Sequence, residues 1–382
     1  MFSQHLKNYW VALIIALALL LQWYSRSSGL ILTPDSQHYI AGSESFRNSL
    51  SLIDHDGYHF LFWPPLFSII LSLLGSKIEG LIWINMILEI LIALVVINIA
   101  NRVILHQGTR LLYFTFILLG VHMLLISSFL WSELIFLFFT TVFIDQLQKS
   151  RENRTAFYFA LGSGFLMCLQ RNAGMFIATG AAIWVFMQEE DKTRSILKSF
   201  FLFFCVNSGL LIWNVYIWLF FVPHEYFNFS DKLFHHAIQN TESIAHALVN
   251  TFLPVNWFYT PTLIIGFFCL VYFLKDEIRK NVSLQLVFII TVVYLIYLYL
   301  VVIINVSGFQ VDVGEADRFI SVIVPFLGIL VFRSYEKALE TKSATVRALM
   351  MVLVCCWMSY PLARTVKNAL QWHEVSKGSA DR

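Results

Sequence analysis

The sequence predicts an all-α polytopic membrane protein with about eleven membrane-spanning helices. Three observations lead there. Of 382 residues, 58% are hydrophobic and only 13% charged, where a soluble domain carries roughly a quarter charged residues. Apolar runs recur along the whole chain, many near the roughly 20 residues that cross a hydrocarbon layer about 30 Å thick. Phenylalanine is abundant (36), with 15 Tyr and 11 Trp, which suits lipid-facing and interfacial positions. The five cysteines all fall inside apolar runs, so neither a disulfide framework nor a thiolate metal site is indicated.

In chain order, the spans are expected near residues 9–25, 79–101, 110–129, 133–148, 155–170, 173–188, 197–221, 257–275, 283–305, 319–333 and 346–362. The first is read as an uncleaved span, because no small-residue cleavage site follows it and Gln22-Trp23-Tyr24 suits an interfacial belt. Residues 1–362 form a single membrane domain with a first outer loop at 26–78 and a long outer loop at 222–256, followed by a tail, 363–382. In the first loop, Pro64-Pro65 suits the first turn of a helix, where a missing N–H costs little. From Pro65 to Gly75 that helix would cover only about 16 Å at 1.5 Å per residue. With Ser68, Ser72 and Ser76 on one stripe, it is expected to lie in the interface rather than cross. The long loop is expected to carry an amphipathic helix over the outer face. Its histidines, His235, His236 and His246, have poor ligand spacing for a metal.

Charge distribution sets the orientation. With the N-terminus inside and the Pro-Pro helix not crossing, about 16 of the 26 basic residues fall in inner loops. The outer loops receive Arg26, Arg47, Lys77, Arg171, Lys232 and Arg318, with four more cations on the tail. This topology gathers residues 26–78, Trp131-Ser132-Glu133, Arg171 and 308–318 on one face, so the chemistry is expected there.

Several residues on that face could carry it. Asp35, in Pro-Asp-Ser-Gln-His-Tyr, reads as a helix N-cap for Ser36–Phe46. Desolvated by Tyr39 and neighbouring aromatics, it also reads as a base for an acceptor hydroxyl; the two roles are compatible. Asp54-His55-Asp56, with His59 nearby, suits either a divalent metal ion or a turn built on Asp56-Gly57. Glu133 at a span end is an interfacial snorkelling acid or a functional one. Glu89, deep in the second span, needs a bundle partner or a proton. Arg171 and Arg318 stand where the topology disfavours cations, so each could hold a phosphate through paired hydrogen bonds. The alternative is an intramolecular ion pair, for Arg318 with Asp317 or Glu315.

Four motifs, in order, resemble the GT-C superfamily of membrane glycosyltransferases, and within it the bacterial branch related to protein O-mannosyltransferases and aminoarabinose transferases. Pro34–Tyr39 is similar to the acidic first-loop motif, and Trp63-Pro64-Pro65-Leu66-Phe67 to the start of the juxtamembrane helix. Ser132–Phe136 is similar to the second-outer-loop Ser-Glu-Pro-Leu-Phe element, with Leu134 in place of the proline. Ala316-Asp317-Arg318-Phe319 with Pro325-Phe326 resembles the opening of a late span. Gly162–Arg171 is a weaker likeness, ending Gln170-Arg171 instead of Thr-Arg.

The resemblance implies inverting transfer of a sugar from a polyprenyl-phosphate donor to a lipid, glycan or protein acceptor, on the periplasmic or extracellular side of a bacterial plasma membrane. It further implies Asp35 as catalytic base, with Glu133 a catalytic-site residue that orients Asp35's partner or the donor sugar, or helps to hold a metal. Arg318 and Arg171 would hold the donor phosphate, and His38 and Tyr39 would contact substrate. Asp54 and Asp56 remain the candidate ligands of a divalent metal ion, the one cofactor suggested; no nucleic-acid partner is. The competing readings are a transporter or flippase for lipid-linked saccharides, which needs polar groups at mid-membrane, and a saccharide polymerase or ligase.

Overall fold

A chain this apolar can satisfy its backbone N–H and C=O groups only within helices, and the computed structural model is helical nearly throughout. It describes residues 2–60, 64–75, 80–188, 190–220, 237–254, 258–303 and 313–380. Trp63, Ser76, Lys77, Lys232, His235, His236 and Asp312 lie outside the described residues. The helices are α1 (Phe2–Ser25), α2 (Pro34–Ser49), α3 (Leu66–Leu74), α4 (Gly80–Asn101), α5 (Gln107–Leu118), α6 (Val121–Ser128), α7 (Glu133–Lys149) and α8 (Arg154–Gln170). They continue with α9 (Ala173–Gln188), α10 (Lys192–Phe220), α11 (Ala237–Phe252), α12 (Tyr259–Lys280), α13 (Val282–Tyr297, continued by a π-helical turn Leu298–Ile303), α14 (Val313–Ser321), α15 (Val324–Leu339) and α16 (Ala344–Ala380).

Each expected span falls on a helix, and the protein is an integral membrane protein. Among the described residues, five helical stretches are both long and apolar enough to cross: α4, α5 with α6, α10, α13 with its π turn, and α16. Others are short. At 16 residues, α15 reaches about 24 Å at 1.5 Å per residue, less than a full hydrocarbon layer.

Three of the departures from the expected boundaries have a local reason. The third span is broken between α5 and α6 at Gly120, where a Cβ would stand 2.4 Å from the Phe116 carbonyl oxygen, so only glycine fits. The tenth begins at Val324, not near 319, because Pro325 suits the first turn of a new helix and α14 stops before it. The last helix runs through Pro361 into the expected tail. There Thr365 Oγ1 donates to the Pro361 carbonyl at 2.8 Å and also lies 2.7 Å from the Leu119 carbonyl.

The main core is built from α4 to α16. A second core, with Tyr39, Phe60, Phe67, Leu71 and Leu130, fastens the first loop to the bundle. Here α3 lies against α2. Ser68, on the serine stripe, is buried, and its hydroxyl donates to the Tyr39 carbonyl at 3.1 Å. The described part of the long loop is α11, amphipathic as expected and packed on α12 and α14.

Arg26 is not the exposed loop charge the topology suggested. It is fully buried, 3.3 Å from Glu89, with Nη1 donating to the Ser127 carbonyl at 2.8 Å. Glu89 thus has its bundle partner. Removing one member of a buried pair strands the other charge, at a cost of about 3–5 kcal/mol. Arg26→Met is therefore expected to lower thermal stability sharply in detergent, and Arg26→Met with Glu89→Leu to regain most of it. Melting curves of the two variants check this.

Candidate active site

Four charged side chains meet at one end of the bundle, and each comes from a helix terminus. Asp35 lies in the first turn of α2 and Glu133 opens α7. Arg171 directly follows α8, and Arg318 sits in the last turn of α14. Helix electrostatics favours this arrangement, since carboxylates stand at amino ends and guanidiniums at carboxyl ends.

The backbone brings Asp35 to Glu133. Ile31 N donates to the Ser128 carbonyl and Leu130 N to the Ile31 carbonyl, both at 3.0 Å, so residues 31–36 run beside 128–132. Ser36 Oγ donates to the Leu130 carbonyl at 3.0 Å, and Trp131 Nε1 to Thr33 Oγ1 at 2.9 Å. Asp35 is not the N-cap of α2. Thr33 is, with Ser36 Oγ accepting from Thr33 N at 2.9 Å. Pro34 takes the first helical position, which moves Asp35 one place further in and leaves its carboxylate free for tertiary contacts.

Arg318 joins the acids. Its Nε donates to Glu133 Oε1 and its Nη1 to Asp35 Oδ2 at 2.5 Å. Arg171 Nη1 lies 2.6 Å from the same Glu133 oxygen and donates to Ser132 Oγ at 2.9 Å. Ser132 is the hub beneath. The Tyr39 hydroxyl shares a hydrogen bond with its Oγ at 3.2 Å, and Gln170 Nε2 donates to its carbonyl at 3.1 Å. The Arg318 guanidinium also lies 4.5 Å over the Trp131 ring, a cation–π contact.

Exposure ranks the four. The Glu133 side chain is 1% exposed, Arg318 7%, Arg171 15% and Asp35 27%. Asp35 is the one most open to an incoming molecule. Arg318 Nη2 and Glu133 Oε2 are buried and have no hydrogen-bond partner among the described residues. Arg318 is thus ion-paired within the chain, as the alternative reading had it, but with Glu133 and Asp35, while Asp317 accepts from Arg364 Nη2 at 2.7 Å.

Tyr39 is buried, with its ring edge-on to Phe67 at 4.8 Å between centroids, so in this structure it faces protein. His38, one turn on from Asp35, is half-buried and faces the 54–58 turn. That turn forms as one of the two readings had it. Asp54 Oδ1 accepts from Asp56 N at 3.0 Å and Tyr58 N at 2.9 Å, and Gly57 adopts φ +85°. The remaining ligand atoms also suit a metal, since one each from His38, Asp54 and Asp56 lie within 4.8 Å of one another. Sequence reasoning treated Ser132 only as part of a motif and passed over Arg364. The first was recognisable as a hydroxyl directly before the helix-opening Glu133. The second was hidden because residues beyond 362 read as a tail.

The architecture has clear counterparts. The chain is similar to ArnT from Cupriavidus metallidurans bound to undecaprenyl phosphate, with a TM-score of 0.61 at 11% identity over 98% of this chain and 77% of that one. The apo state of the same protein gives 0.55. The Archaeoglobus fulgidus oligosaccharyltransferase gives 0.57 at 12% identity, with 97% of this chain covered. Both proteins are GT-C glycosyltransferases. This chain has the GT-C fold. It spans just over half of the oligosaccharyltransferase, 56%. No protein-family model and no curated protein sequence matches it. On the GT-C fold, all four motif-borne charges stand together at one end of the helices.

Proposed function

We infer that the protein is an inverting glycosyltransferase, moving a sugar from a polyprenyl-phosphate donor to an acceptor hydroxyl at the outer membrane face. The observation that carries this reading is the bonding of Arg318. One guanidinium grips buried Glu133 through Nε, holds the more accessible Asp35 through Nη1, and has no partner for Nη2 among the described residues. A phosphate arriving from the membrane side exchanges with Asp35 for Nη1 and takes Nη2, while Glu133 keeps the arginine in place. That exchange frees the Asp35 carboxylate as the anion enters. The likeness to ArnT bound to undecaprenyl phosphate supports a polyprenyl phosphate as the lipid.

In the reaction, Asp35 accepts the proton of the acceptor hydroxyl as that oxygen bonds to the anomeric carbon from the face opposite the phosphate. The bond from the anomeric carbon to the phosphate oxygen breaks, and the lipid phosphate departs with the electron pair. Arg318, backed by Arg171, meets the charge growing on it. Glu133 is a positioning residue that fixes both arginines, and Tyr39 acts through Ser132 in the same way. A transporter would expose polar groups along a path at mid-membrane. The buried Arg26–Glu89 pair is instead sealed, with both side chains at 0% exposure.

The test uses purified protein in detergent with undecaprenyl phosphate and a labelled polyprenyl-phosphate sugar. Wild type is expected to bind the lipid phosphate and release the label. Arg318→Ala is expected to bind it roughly 10- to 100-fold more weakly, the value of a charge-assisted hydrogen bond or two. Wild-type protein that neither binds the lipid phosphate nor releases sugar overturns the reading.

A divalent ion fits the first loop as a clamp. His38, Asp54 and Asp56, an imidazole and two carboxylates, would suit zinc, and the ion would cross-link the 54–58 turn to α2 beside Asp35. Zinc is expected to raise the melting temperature of wild type and not that of Asp54→Asn; an equal response in both sinks the clamp.

A further inference from the structure

The buried Arg26–Glu89 pair lies at the root of the backbone pairing that brings Asp35 to Glu133. On one side is the chain leaving α1. It turns where Gly29 N donates to the Arg26 carbonyl at 3.0 Å and Gly29 adopts φ +127°, and it enters the pairing at Ile31. On the other side is the end of α6. Arg26 Nη1 donates to the Ser127 carbonyl at 2.8 Å, and Asn85 Nδ2, one turn before Glu89 on α4, donates to the same oxygen at 3.0 Å. Ser25 Oγ shares a hydrogen bond with Ser128 Oγ at 3.0 Å. The last carbonyls of a helix have no partner within it. In α6 the Ser127 carbonyl is taken by Arg26 and Asn85, and the Ser128 carbonyl by Ile31 N. Arg26 thus holds both segments, 31–36 and 128–132, where they begin to run together.

Stability alone does not account for such a pair. Withdrawing two charges from water offsets much of their attraction, and apolar residues of similar volume often serve a fold as well or better. What a buried ionic group can add is register, because its donors fit one arrangement of acceptors. Register matters here. A slip of one residue in an extended segment is about 3.3 Å and turns its side chains to the opposite face. Asp35 would then leave Arg318 Nη1, and Thr33 Oγ1 would leave Trp131 Nε1. Misplacement by about 1 Å can by itself cost roughly 10²-fold in rate. We propose that Arg26, seated on Glu89 and helped by Asn85, is a positioning residue. It sets the register of 31–36 on 128–132, and with it the place of Asp35 beside Glu133. Its effect on turnover rests on the transferase reading; its effect on the pairing does not.

The pairing arm is amide hydrogen exchange of the purified full chain in detergent. Ile31 N and Leu130 N are held by the cross-bonds. In Arg26→Met with Glu89→Leu, these two amides are expected to exchange at least about tenfold faster, as a locally loosened segment does. Asn85→Leu removes one of the two donors to Ser127 and strands no charge, so it is expected to give the same change in smaller degree. Ile290→Ala, a truncation in the main core, is expected to lower the melting temperature and leave both amides and kcat at wild-type values. In the kinetic arm, the Arg26→Met, Glu89→Leu variant is expected to lose at least about tenfold in kcat. Its KM for the glycolipid stays near wild type, because Glu133 still holds Arg318. Wild-type exchange at Ile31 and Leu130 in the double variant overturns the proposal, and so does wild-type kcat. If wild type itself transfers no sugar, the transferase reading fails, and the exchange arm still decides what Arg26 does to the pairing.

Discussion

Asp35→Asn is expected to abolish transfer while leaving the protein folded and able to hold the lipid phosphate. A general base contributes roughly 10²–10⁴ in rate, and the amide that replaces it accepts no proton. The substitution is nearly isosteric, and Asp35 is the most exposed of the four clustered charges, so little packing is disturbed. The second half of the prediction is sharper. Asp35 occupies Arg318 Nη1 at 2.5 Å, and an incoming phosphate must displace it. Asparagine competes less well, so undecaprenyl phosphate should bind Asp35→Asn more tightly than wild type. Lipid titration and turnover on the same preparation measure both. Full turnover in the variant would remove the base assignment, and weaker lipid binding would remove the exchange at Arg318.

Glu133→Gln is expected to damage stability and activity together. Glu133 Oε1 is the shared counter-charge of Arg171 and Arg318, and its side chain is 1% exposed. Neutralising it leaves two guanidiniums facing each other in a site where water cannot screen them. Truncating one partner of a buried ion pair costs about 3–5 kcal/mol; here Arg171 loses its acid and Arg318 keeps only Asp35. The melting temperature should fall well below that of Asp35→Asn. A variant with Glu133→Gln and Arg171→Met, which removes the stranded cation, should recover part of the stability and none of the turnover. Glu133→Gln melting with wild type would mean that the two arginines find compensation elsewhere.

The expected spans were legible because run length and hydropathy are local properties of a sequence. Where the boundaries moved, as at Gly120, Pro325 and Pro361, the cause was a backbone detail that hydropathy does not encode. The charged residues of the site were legible for a related reason, since a charge among apolar neighbours is costly without a partner or a task. Their partners were not. Arg318 meets Asp35 across 283 positions and Glu133 across 185, and only packing decides such pairs. Arg26 shows the same blindness, because a cation just past a span reads as a loop charge until α4 delivers Glu89. Three of the six cations assigned to the outer loops, Arg26, Arg171 and Arg318, are in fact neutralised by buried acids. The apparent exceptions to the charge rule are therefore weaker than a count of residues suggests.

The order in which these contacts become available has a consequence for biosynthesis. Arg171 emerges from the ribosome soon after Glu133 and can neutralise it as α7 and α8 enter the membrane as a hairpin. Arg318 follows Glu133 by 185 positions, a delay of roughly 10–40 s at about 5–20 residues per second. Until then Asp35 lacks its partner Arg318. A nascent chain halted anywhere before α14 would lack the Arg318 contacts to Asp35 and Glu133. Quality control that retains such fragments would face a protein whose charges are balanced in stages, with the arginine from α14 arriving last.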